Sequence, residues 1–428
     1  MAANAESAPA RPRLLAALAQ RDFALLWSGQ AFSSIGNQMF PIILAMVALQ
    51  RNSGATGLGV VLAVQGGAVA LGTVLAASVG DKWRRSRVML VSDFVRIVGV
   101  AAIAMSPRQL PTASFLSIIV VIGIAEGLFI PAYGAVMPRI LSADHLQGGN
   151  ALNSLSLYVA MVLGPGIAGF VIAVFGTGLA LWIDVVTFVF SLATLLAISE
   201  RPMTRTPDPE DQRDGHVRRA VRDFRQGLGA VWERPWVAAS IGMATLVMTF
   251  SVAPAFLAAP IEARDRLGGS GAYGAAFTAL GVGSIIGSLI SGKIRTGRPG
   301  TVAICGIFTI FGAVGSLAFL PLPGVLFCWT VAGVGVTVFQ VLWTTAIQQD
   351  VPEHLLGRVL ALDWLGSQGL MPLGYALAGL LVAAIGVRDV LIAGALIVLI
   401  AAPLPLLAPG GRTFSSAGPR WLGHSGKN

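Results

Sequence analysis

Gly80-Asp81-Lys82-Trp83-Arg84-Arg85-Ser86-Arg87 packs five charges between two long apolar runs, in a chain with only 11% charged residues. The run before it, 57 to 79, carries no charge, and the run after it, to 105, adds only Asp93 and Arg96. Lys and Arg beside membrane spans are held on the cytoplasmic side. The stretch therefore reads as a short cytoplasmic hairpin that orients both neighbouring helices.

The rest of the chain extends the pattern. With 55% hydrophobic residues and a mean hydropathy of +0.77, its 428 residues cannot cover a soluble core with polar surface. At roughly 20 apolar residues per crossing, the runs predict twelve transmembrane helices. Of the 29 basic residues, only Arg51, Arg108, Arg264, Arg266 and Arg388 fall outside and Arg96 within a span, if both termini are cytoplasmic. A net charge of +9 spread in this way records topology and not nucleic-acid binding. The expected organisation is a cytoplasmic tail (1–22), a six-helix bundle (23–199), a cytoplasmic linker (200–235), a second bundle (236–408) and a cytoplasmic tail (409–428). The tail has no secretory signal pattern, because Arg21 and Asp22 follow the short run Leu14 to Leu18. Cys305 and Cys328 fall in apolar runs and are expected to be buried small hydrophobes. No metal, cofactor or catalytic site is expected.

Two features join the bundles. In the linker, Val217, Val221, Phe224, Leu228 and Val231 recur at helical spacing with arginines on the other face, predicting an amphipathic helix on the inner leaflet. Ser142 to Gly148 parallels Val351 to Gly357, and Gly169 to Gly176 parallels Gly379 to Gly386, each about 210 residues apart. Parallel repeats of this kind imply a transporter of two pseudo-twofold halves.

The hairpin, with Ala77 to Arg87, resembles the loop motif Gly-x-Leu-Ala-Asp-Arg-x-Gly-Arg-Arg of the major facilitator superfamily, with Ala77 and Arg84 at two of its glycine positions. Ser92, Asp93 and Arg96 continue the pattern of the branch that includes macrolide and enterobactin exporters. Gly164-Pro165-Gly166-Ile167-Ala168-Gly169 resembles that branch's antiporter motif, while the Arg that many drug and proton antiporters carry in the fourth helix is missing. The resemblance implies an all-α major facilitator fold in the cell membrane. It also implies export of a drug, siderophore or other amphipathic secondary metabolite by proton antiport, and a conformational latch at Asp81, Arg84 and Arg85.

Residue by residue, Glu126 stands out. It lies mid-span without a basic neighbour at helical spacing, where an acid is usually functional, and is the candidate proton carrier. Asp93 and Arg96, three apart on one helix face, suggest a structural or gating salt bridge. Asp184 and Asp363 are expected to serve in capping and interface pairing. Gln30, Ser34 and Asn37 form a polar stripe on the first helix; with Asn153, Met248, Gln340 and Trp343 they are the expected lining of a central cavity. Gly164, Pro165, Gly169, Pro372 and Gly374 are expected to kink and closely pack helices. The near phosphate loop Gly287 to Ile294 lacks its Ser or Thr and any preceding strand, which argues against ATP-driven transport. Expected partners are a small-molecule substrate, protons and the lipid bilayer, with the protein a monomer. Uptake or facilitated diffusion is the rival within the same fold. A membrane-embedded transferase is disfavoured, because the spans hold no acid cluster for a metal and diphosphate.

Overall fold

The computed structural model describes residues 14–51, 54–79, 83–105, 109–198 and 216–415; Asp81, residues 200–215 of the linker and the ends of both tails lie outside them. Among the described residues the secondary structure is helical, with no strand. Eleven helices are long and apolar enough to cross a membrane. One of them, Gly148–Leu196, has 49 residues, about 74 Å at 1.5 Å per residue and more than twice the hydrocarbon thickness. It is broken at Gly176, where φ is 84° and ψ 172°. Only glycine adopts that backbone readily, so the chain turns there and crosses again, giving twelve passes. Gly386, its counterpart in the repeat, separates the last two spans with φ 91° and ψ 159°.

The remaining spans are Arg21–Gln50, Gly54–Val79, Arg85–Met105, Thr112–Ile140, Pro235–Leu267, Ser270–Ser291, Pro299–Phe319, Leu322–Asp350, Leu355–Ile385 and Val387–Leu407. They are numbered here by order of crossing. Phe170, Phe327, Ile400 and Leu407 stay exposed on outer helix faces, as a hydrocarbon solvent permits. Cys305 is exposed on the ninth span and Cys328 half-buried on the tenth; in a bilayer an outward thiol meets lipid, and the expected burial is corrected accordingly.

The halves meet along two seams. A Cβ on Gly59 would lie 2.6 Å from the Tyr375 carbonyl and 2.9 Å from Gly379 Cα, joining the second span to the eleventh. A Cβ on Gly169 would lie 2.7 Å from the Ser270 carbonyl and 2.9 Å from Gly274 Cα, joining the fifth to the eighth. Both seams run along the end of the bundle away from the linker. Thr56 there donates to the Gly379 carbonyl at 3.3 Å, and Thr278 to the Val162 carbonyl at 3.0 Å. Away from the linker, Met371–Ile385 packs along the second span, whereas towards the linker Glu353–Trp364 makes no comparable contact with that span among the described residues and packs on the linker helix. Leu155, Leu157 and Tyr158, at the linker end of the fifth span, are exposed. Among the described residues the halves are thus joined at one end and parted at the other.

Candidate functional site

In the first half, the first, third, fourth and sixth spans bring their few polar residues together. Gln30 donates to Ser191 at 2.8 Å, and Ser191 donates to Asp93 Oδ2 at 2.6 Å. Arg96 donates to Asn37 Oδ1 and lies 4.0 Å over the Phe188 ring. Among the described residues no ion pair within 4 Å joins Asp93 to Arg96. The expected salt bridge is corrected: their helix spacing permits contact, but Ser191 and Asn37 draw the two side chains to different neighbours. Gln30 is likewise corrected, since it is buried and spent on Ser191. Ser34 and Asn37 remain half-buried.

Asp184 is fully buried, and neither carboxyl oxygen has a hydrogen-bond partner among the described residues. Gly36 leaves the room for it: a Cβ there would sit 2.5 Å from Asp184 Oδ1. Arg96 and Glu126 are both near enough to act on its charge. No capping or pairing contact is present, so the sixth span places an acid where the sequence suggested a peripheral one. Glu126 itself is half-buried, with Gln65 Nε2 at 3.5 Å, the outer limit of a hydrogen bond. Asp93 and Arg96 of the third span, Glu126 of the fourth and Asp184 of the sixth are thus the charged residues of this polar group within the membrane. Asn153 accepts from Tyr133 at 2.6 Å. At the hairpin, Arg84 is exposed and Arg85 Nε is buried without a partner among the described residues; Asp81 lies outside them.

The second half holds a cavity of about 390 Å³. Met248, Val252 and Phe256 of the seventh span, Trp329 of the tenth, and Gln368 and Met371 of the eleventh line it; Met161 of the fifth span reaches in from the other half. Among the described residues no acid or base lines it; its polar groups include the Gln368 amide and the Trp329 indole N–H, which is buried without a hydrogen-bond partner among those residues. Two π-helical turns, Met248–Val252 and Leu365–Gly369, form part of the wall. Their cause is local: Pro254 and Pro372 have no N–H for the carbonyls of Phe250 and Gln368, and the helix widens over the freed groups. That signal was readable in the sequence. The convergence of Met161, Phe256, Trp329 and Met371 was not, because single apolar residues in a span carry no directional information.

Of the expected cavity residues in this half, Met248 lines the cavity. Trp343 does not, and is corrected: it is 2% exposed, donates to Asp363 at 3.2 Å and packs in a cage with Trp236 and Phe414. Gln340 is exposed and donates to Thr344 at 3.3 Å. Gly164, Gly169 and Gly374 lie where a Cβ would clash with a neighbouring helix, and Pro372 rests 3.2 Å from the Cβ position of Gly66.

The chain is similar to known transport proteins. The multidrug efflux pump Tap of Mycolicibacterium fortuitum is 25% identical over 399 residues, covering 90% of this chain and 94% of the pump. Tap of Mycobacterium tuberculosis is 25% identical over 389 residues, covering 88% and 91%. Among solved structures, the nucleoside transporter NupG superposes with a TM-score of 0.69 at 10% identity, covering 90% of this chain and 98% of that one. A bacterial homologue of the iron transporter ferroportin, in an inward-facing state, gives 0.68 at 16% identity, covering 90% and 98%. Residues 26–372 match the Major Facilitator Superfamily, and with its membrane-length helices in two halves the chain is a transporter belonging to that family.

Proposed function

We propose that this protein exports a bulky amphipathic small molecule in exchange for protons, loading it from the cytoplasm. The observation that carries the reading is the 390 Å³ cavity, walled by thioethers and rings, inside halves parted at the linker end. Flexible Met and flat aromatic walls re-pack around differently shaped apolar ligands, which suits a drug or secondary metabolite better than a sugar or amino acid. The distribution of basic residues points to a cytoplasmic linker end, which would make the parted end the side from which an exporter loads. The relatives named as multidrug efflux pumps support the same direction.

Glu126 and its acidic neighbours supply the coupling group. A proton falling through about 150 mV releases about 3.5 kcal/mol, enough for a several-hundredfold substrate gradient at about 1.4 kcal/mol per decade. The test compares cells with and without the protein on a panel of cationic and neutral antibiotics, each with and without an uncoupler. Resistance that the uncoupler abolishes is expected. Unchanged sensitivity across the panel, or protection indifferent to the uncoupler, refutes proton-driven export.

A further inference from the structure

We propose that the linker helix, His216–Trp232, docks on an anionic lipid surface and holds the linker end of the eleventh span apart from the second. At about 100° per residue, Phe224, Leu228 and Trp232 form a stripe only about 80° wide. All three are exposed, Trp232 at 69%. Arg222 and Arg225, also exposed, lie beyond one edge of the stripe. Beyond the other edge the helix is closed by protein, with Gly227, Ala230 and Val231 buried. Val231, grouped by sequence with the membrane face, thus belongs to the protein seam.

That seam is made with the eleventh span. A Cβ on Gly227 would lie 3.1 Å from Arg358 Cβ and 3.2 Å from Leu362 Cδ1. The end of the helix is fastened as well: Arg234 donates to the Ala230 carbonyl at 2.9 Å, and its Nε lies 3.5 Å from Asp350 Oδ2 at the close of the tenth span. The seventh span begins at Pro235, so the stripe sits at the rim of the bilayer, where tryptophan is favoured. An apolar stripe edged by arginines at that depth matches acyl chains below and anionic headgroups beside them. Because the helix rides on Glu353–Trp364, its hold on the lipid surface keeps that segment away from the second span.

The test uses the full chain in vesicles of phosphatidylcholine, alone or mixed equally with phosphatidylglycerol, with hydrogen exchange read over residues 222–232. Arg225, at about 1 kcal/mol, predicts at least roughly 5-fold slower exchange with the anionic lipid, reversed by high salt. Replacing Arg222 and Arg225 by Gln should remove the lipid difference. Phe224→Ser with Trp232→Ser should speed exchange in both vesicles, with the melting temperature of the spans unchanged. Thiol labelling of a cysteine placed at Val74, which is exposed and lies within about 80° of the face that carries Gly59 and Gly66, should be faster in the anionic vesicles. Exchange identical in the two lipids overturns the proposal. So does protection that grows with protein density in the vesicles, which would assign the stripe to a second copy.

Discussion

Widening the seam at Gly59 should convert the protein from the form parted at the linker end to the form parted at the other end. A Cβ at residue 59 would lie 2.6 Å from the Tyr375 carbonyl and 2.9 Å from Gly379 Cα. Ordinary carbon contacts need about 3.5 to 4.0 Å, and both partners are backbone that cannot rotate away, so Gly59→Val must push the spans apart by about 1 Å. Overpacking of this size costs about 1 to 3 kcal/mol. The strain falls on the joined seam and is absent once that end opens, so the population ratio should shift by roughly 5- to 150-fold. Spin labels on cysteines at Gly54 and Ala383, in a chain with Cys305 and Cys328 replaced by Ala, would report the distance across that end. A longer-distance population should appear or grow in Gly59→Val, and Gly169→Val should act alike through the fifth and eighth spans. If both variants keep the wild-type distance distribution and transport rate, the seams do not hold the halves and the reasoning fails.

Other outcomes follow from the two sites. Glu126→Gln should abolish uncoupler-sensitive efflux while leaving ligand binding measurable, and retained pH-driven efflux would remove Glu126 from coupling. Asp184→Asn, which keeps the shape but drops a buried acid with no hydrogen-bond partner, should fold normally and alter the pH profile of efflux; a profile superimposable on wild type would leave Asp184 a silent packing residue. Ala332, which is 1% exposed and borders the cavity, should tolerate Ser but not Phe. Ala332→Phe should weaken binding of bulky fluorescent cations at least tenfold while leaving far-ultraviolet circular dichroism unchanged. Phe414→Ala empties a cage where the Phe414 ring lies 5.1 Å from Trp236 and 5.8 Å from Trp343. It should cost about 3 to 5 kcal/mol, read as a lower melting temperature and altered tryptophan emission.

The sequence by itself determined the helical spans and their glycine reversals, because each rests on a property that travels with the chain. A run long enough to cross hydrocarbon must be helical to satisfy its backbone, charges beside it set its direction, and a glycine such as Gly176 or Gly386 permits the reversal. It also picked out Glu126, since an acid in an apolar run is conspicuous wherever it points. Only the tertiary structure decided what the polar residues face. Gln30 and Trp343 looked like cavity lining but are buried against Ser191 and in an aromatic cage. Asp184 looked peripheral and is fully enclosed, while Met161 and Gln368 share a wall although they lie about 200 residues apart. Helical periodicity fixes which residues share a face, but the partner opposite that face is set by packing between distant segments, and in a chain apolar on nearly every side no pattern along one helix distinguishes lipid, neighbour and cavity.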